Sequence, residues 1–146
     1  MAAAGDVGST AAANEAVVRR FYEEVFNQRR EDVIREVISS DYVDYGHDPP
    51  GRGPEGAIDD FRGVLAVSDD ARYDIEDLVA AGDTVAVRWT GHLTHTGPIA
   101  GIEPTGKKLT LPGMSFYKLR NGQIVETRNL VDMLGFLSQV GAIPGG

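Results

Sequence analysis

The dipeptide Asn121-Gly122 restricts the fold of this chain more than any other feature of it. A two-residue hairpin loop needs positive φ at its central positions, which Asn and Gly tolerate, and it joins antiparallel strands whose twist it matches. The flanking segments both alternate with period two, Lys107 to Arg120 before the loop and Gln123 to Val131 after it. With Asn121 and Gly122 as the loop, Tyr117 faces Glu126, Ser115 faces Arg128 and Gly113 faces Leu130. Without a bulge, Leu111 then faces Asp132. That register puts all of these on one side of the sheet and Met114, Phe116 and Val125 on the other.

The same period continues upstream. Tyr73 to Val79 reads as a strand, Ala81-Gly82-Asp83 as a turn, and Thr84 to His95 as the next strand. Val85, Val87 and Trp89 share one face of it, and Arg88, Thr90 and His92 the other. Gly97 to Gly106 is a loop, and Pro112-Gly113 marks a bend in the strand that follows.

The first half reads as helix. From Asn14 onward, Val18, Phe21, Val25 and Phe26 recur at three-to-four spacing, and Val33, Ile34, Val37 and Ile38 form a second short stripe. Asp41 to Tyr45 is extended, and Gly46 to Gly53 is a loop. Pro54 opens a third helix that buries Ile58, Phe61 and Leu65. A last helix carries Met133, Leu134, Phe136, Leu137 and Val140 and stops at Gly141. Residues 1–13 read as a frayed Ala/Gly-rich tail, and 14–146 as a single domain. Three helices, a four-stranded meander and a closing helix make an α+β order. The helices must cover one face of a curved antiparallel sheet, which leaves a cone with a pocket inside.

Composition narrows the chemistry. Fourteen Lys and Arg against 22 Asp and Glu give a net charge of −8, which argues against binding nucleic acid or an anionic membrane. The absence of Cys excludes disulfides, thiolate metal sites and Cys nucleophiles. No apolar run has membrane-span length, and the N-terminus lacks a signal-peptide pattern, so a cytoplasmic protein is expected. His92 and His95 are three apart on a strand and point to opposite faces, so no metal site is expected there. No phosphate-binding loop and no GxSxG context is present.

Acid–base chemistry in a pocket remains. Asp132 stands between apolar Leu130-Val131 and the apolar Met133-Leu134, and reads either as the N-cap of the last helix or as a pocket acid. Arg88 interrupts an apolar strand, where it either snorkels to the sheet edge, pairs with a carboxylate, or lines the site. Arg128 lies on the same strand face as Asp132 and would hold its carboxyl ionised.

Several segments carry a resemblance: Phe21-Tyr22-Glu23-Glu24-Val25-Phe26-Asn27, Asp41-Tyr42-Val43-Asp44, Gly82 to Thr90, Thr94-His95-Thr96-Gly97, Gly101 to Lys107, Asn121 to Glu126, and Val131-Asp132-Met133-Leu134-Gly135. Together, from about Asn14 to Gly141, they resemble the SnoaL-like polyketide cyclases of the NTF2-like superfamily. The resemblance implies an NTF2-like cone and a cofactor-free enzyme, with no metal, acting on a small hydrophobic carbonyl compound. It implies that Asp132 is the acid–base residue of an intramolecular aldol closure or isomerisation. The substrate-binding set is then Arg88, Arg128, Tyr45, His47, Ser115, Tyr117, Leu130 and His92. Thr127-Arg128 stands where the family often has His-Trp, and Tyr45 where it has His or Asn.

Two alternatives accompany that reading. One is an epoxide hydrolase resembling the limonene epoxide hydrolases, whose Arg-x-Asp becomes Arg88-Trp89-Thr90 here. The other is a non-catalytic binding module. The apolar outer sheet face points to a homodimer.

Overall fold

A computed structural model describes residues 4–143. The first helix, α1, spans Ala4–Arg20, so it begins within the stretch read as a tail to residue 13. It continues into a π-helical segment, Phe21–Asn27. The wider turn lets Phe21, Tyr22, Val25 and Phe26 all reach the core. The segment ends against the sheet. Asn27 takes the N–H of Tyr73 on its Oδ1 and donates Nδ2 to the Tyr73 carbonyl, both at 2.8 Å, as a neighbouring strand would.

A 3₁₀ turn, Glu31–Val33, leads into α2 (Ile34–Val37), then β1 (Ile38–Asp44) and the two-residue β2 (Gly51–Arg52). Helix α3 spans Gly53–Val67 with Pro54 in its first turn. It buries Ala57, Ile58 and Phe61. The strands β3 (Arg72–Ala81), β4 (Thr84–Thr94), β5 (Lys108–Arg120) and β6 (Gln123–Val131) follow, and α4 (Met133–Gln139) closes the chain.

The six strands form one sheet in the order β2-β1-β6-β5-β4-β3. The meander is antiparallel, as its turns require, whereas β1 joins β6 in parallel. The sheet is therefore mixed at that edge. Helices cover one face only. The main core joins Val18, Val25, Ile34, Val37, Ile58 and Phe61 to Val85, Val87, Tyr117, Leu119 and Ile124 of the sheet. A smaller cluster under the loop end holds Leu93, Leu109, Phe136 and Val140.

The hairpin turn forms where expected, with φ of 53° at Asn121 and 76° at Gly122. Its register does not follow from the turn alone. The ladder shifts between Lys118 and Leu119, so Leu119 opposes Ile124 but Lys118 opposes Glu126. One extra residue of β6 is accommodated in that bulge. Beyond it Tyr117 pairs with Thr127, Ser115 with Asn129 and Gly113 with Val131. This corrects the pairing of those residues with Glu126, Arg128 and Leu130. A one-residue slip turns a strand's side chains over.

Candidate active site

The helices do not fill the concave face of the sheet. They leave a cavity of about 330 Å³. Its apolar walls include Phe21, Phe26, Tyr73 and Trp89. These rings pack edge to face, with Phe26–Tyr73 and Tyr73–Trp89 centroids each 5.2 Å apart. Gly113 makes room for the indole. A Cβ there would lie 2.3 Å from Cζ2 of Trp89, so only glycine fits opposite it.

The polar groups gather in two places. At one wall, His47 Nε2 is 3.2 Å from Asp60 Oδ1 and 3.4 Å from Asp44 Oδ2. Asp44 ends β1 and is buried, and its Oδ1 accepts the N–H of Gly46 at 2.8 Å, an Asx turn that fixes the carboxylate. Asp60 rides on α3, three residues after buried Ala57 and four before Val64. Burial pushes the Asp60 carboxyl above the usual carboxylate range, the His47 imidazole pulls it back and the Asp44 charge raises it further. Among the described residues, Asp44, His47 and Asp60 bring ligand atoms within 4.8 Å of one another, so these three could also hold a divalent cation.

On the sheet floor, Trp89 Nε1 donates to Ser115 Oγ at 2.9 Å, and Ser115 donates to Asn129 Oδ1. Tyr42 donates to Thr127 Oγ1 at 3.0 Å. The hydroxyls of Tyr22 and Tyr117 meet at 2.6 Å. Burial pushes Tyr22 up to about 12 and raises Tyr42, Tyr73 and Tyr117 as well. These phenols stay protonated and serve as neutral donors.

Of the residues expected at the site, His47, Ser115 and Tyr117 line this cavity. The others face elsewhere. Asp132 caps α4: its Oδ1 accepts from Gly135 N at 2.9 Å and its carbonyl from Phe136 N at 3.1 Å. The residue is exposed and borders a groove on the outer sheet face with Tyr45, Arg88, Arg128 and Leu130. Arg88 bonds Asp77 at 2.8 Å. Arg128 bonds Glu126 at 3.1 Å and lies over the Tyr45 ring, 4.1 Å from its centroid. Leu130 is 83% exposed. His92 pairs with Asp74 on the outer side at 3.1 Å. His95 lies just beyond the end of β4. It is fully buried, with Nδ1 accepting from Thr105 N.

The bulge explains the departures on β6. It sends Thr127, Asn129 and Val131 into the cavity and Arg128 and Leu130 out. The residues that escaped attention, Asp44, Asp60 and Asn129, carried weaker signals. Asp44 shares a strand face with Tyr42, and Asp60 falls on the apolar stripe of α3.

Comparison with known proteins agrees with this architecture. The chain is 26% identical over 129 residues to the aklanonic acid methyl ester cyclase DnrD of Streptomyces peucetius, covering 86% of this chain and 88% of that protein. It matches the aklanonic acid methyl ester cyclase DauD of Streptomyces sp. (strain C5) at the same identity, over 86% of this chain and 80% of that one. Among solved structures, TsrD from Streptomyces laurentii superposes with a TM-score of 0.82 at 23% identity, over 90% of this chain and 97% of that one. Wild-type IdmH from Streptomyces antibioticus gives a TM-score of 0.76 at 28% identity, over 88% and 98%. The family model described as SnoaL-like polyketide cyclase matches residues 16–140, and the chain belongs to that family.

Proposed function

We propose that this chain catalyses proton transfer on a small carbonyl compound held in the inner cavity, driving an intramolecular aldol closure or an isomerisation. The observation that carries this reading is the convergence of two carboxylates on one imidazole nitrogen at the wall of an aromatic-lined cavity. Asp60 is the proton acceptor, because burial makes it more basic than an ordinary carboxylate. His47 orients it and offsets the neighbouring charge of Asp44. A methylene between two carbonyls gives its proton to the Asp60 carboxylate. The enolate carbon attacks a second carbonyl of the same molecule, and the resulting alkoxide takes the proton back. The protein supplies confinement and a proton carrier more basic than an ordinary carboxylate.

The role first assigned to Asp132 passes to Asp60 in this reading, since the Asp132 carboxyl is spent on the helix cap. The hydrolase alternative lacks its guanidinium, which lies on the outer face with Asp77. The cyclases DnrD and DauD are named for a methyl ester substrate, so a polyketide methyl ester is the first compound to try as a full substrate. A simpler assay follows deuterium entry from D₂O into the α-methylene of a β-keto methyl ester by NMR. Asp60→Asn and His47→Ala are expected to lose the exchange that Asp132→Asn keeps. Unchanged exchange in both inner variants overturns the assignment.

The exposed strip of Met114, Phe116 and Leu130 accommodates a second copy of this chain. Its rim carries both signs of charge, in Arg88 with Asp77 and Arg128 with Glu126, as a patch that meets itself requires. Phe116→Lys is then expected to halve the sedimenting mass, and a monomeric wild type refutes the pairing.

A further inference from the structure

The chain of hydrogen bonds beneath the cavity has a direction. An indole N–H can only donate, so Ser115 Oγ accepts at that contact. The hydroxyl has one proton, which leaves on the far side toward Asn129 and requires an acceptor there. Asn129 therefore presents Oδ1 to Ser115, and its amide nitrogen is turned to the other side. That side is the one bordered by the acid–base cluster. A Cβ placed on Gly46 would lie 3.3 Å from Asn129 Nδ2 and 3.0 Å from Asp44 Oδ1, so both groups flank the same small space. Ser115 and Trp89 are buried, with relative exposures of 2% and 7%, and hold this arrangement away from water.

We propose that Asn129 Nδ2 donates a hydrogen bond to the substrate oxygen that gains negative charge when the proton leaves, and that Trp89 and Ser115 are positioning residues that lock the amide in the donating orientation. This rests on the proton-transfer reading and adds to it the group that stabilises the enolate. An oriented donor at a developing oxyanion is worth most in a site with little water, where it need not reorganise. Without the Ser115 contact the amide could turn over and present its oxygen, which repels an enolate. The relay thus removes the wrong orientation as well as holding the right one. It selects substrates that form an oxyanion, and it favours aromatic or enolic ligands over saturated alcohols of equal size.

A non-reacting probe tests this without turnover. 2-Naphthol is titrated into the full-length protein, and the ionisation of the bound probe is followed by its fluorescence across pH. Asn129→Leu is expected to weaken naphtholate binding about tenfold or more and to raise the pH at which the bound probe ionises. Binding of the uncharged 2-methoxynaphthalene should not change. Ser115→Ala, which keeps Asn129, should give a smaller shift in the same direction. Thermal melting of each variant separates a loss of donor from a loss of fold, and Asn129→Asp, similar in shape, provides a second variant if Leu does not fold. A bound probe whose ionisation is the same in wild type and variants overturns the proposal while leaving Asp60 and His47 in place. Conversely, a naphtholate shift in Asn129→Leu together with normal deuterium exchange in Asp60→Asn keeps this donor and removes the acid–base assignment. A wild type that binds neither naphthalene compound overturns both.

Discussion

The two faces of the sheet carry the same kinds of residue in opposite circumstances. Inside, Asp44, His47 and Asp60 are close together beside a cavity walled by Tyr and Phe rings, and burial alters the Asp60 carboxyl. Outside, Arg88 pairs with Asp77 of the neighbouring strand and Arg128 with Glu126 of its own, all in the open with side-chain exposures of 30% to 67%. Ion pairs of the outer kind contribute little to stability. The difference shows that charge type does not mark a site here. What marks it is convergence, two carboxylates on one imidazole with the Asp44 side chain only 5% exposed.

The largest expected effect sharpens that contrast. Asp60→Asn should lower the proton-transfer rate by about 10²- to 10⁴-fold, whereas Arg88→Ala and Arg128→Ala should leave it unchanged, as steady-state kinetics would show. A loss of rate in the arginine variants with full rate in Asp60→Asn would invert the assignment of the two faces. Next comes Gly113→Ala. Its methyl group would collide with Trp89, and denaturant melts should report a loss of about 1–3 kcal/mol. Asp132→Ala should cost about 0.5–2 kcal/mol through the lost cap, with the rate retained. Loss of rate without loss of stability would return Asp132 to the chemistry.

The smallest effect is one of pH. Asp60 binds its proton more tightly folded than unfolded, because burial disfavours the carboxylate. Its contribution to stability is present below the unfolded carboxylate pKa, about 3.9, and is lost as pH rises through the higher folded value. Asp60→Asn should therefore flatten the fall in Tm over that interval and leave Tm at neutral pH no lower than wild type. A variant less stable at neutral pH would show that the ionised carboxylate was favourably held.

Much of the architecture was legible because it follows from local rules. Val18, Phe21 and Val25 announce a helix by their spacing, Asn121-Gly122 announces a hairpin, and Val85, Val87 and Trp89 announce the buried face of β4. Each signal lies within a few neighbouring residues. The site was less legible because it depends on a count. Ile124 and Thr127 both point inward although three positions separate them, which period two forbids without an extra residue. Nothing in Gln123-Ile124-Val125-Glu126 advertises that residue. Asp44 and Asp60 come together only through the packing of α3 on β1, a long-range event that pattern reading does not reach.

The bulge in β6 makes the chemistry of the cavity depend on strand register as well as on residue identity. Deleting Val125 would draw the strand straight and leave Thr127 opposite Tyr117 and Asn129 opposite Ser115, whereas regular pairing of the undeleted strand from the turn would set Glu126 and Arg128 there. The bulge, by absorbing one residue, thus gives the cavity a neutral lining where an unbroken ladder would give it a charged one. A shift of register in this one hairpin would change several lining residues together, where a substitution changes one.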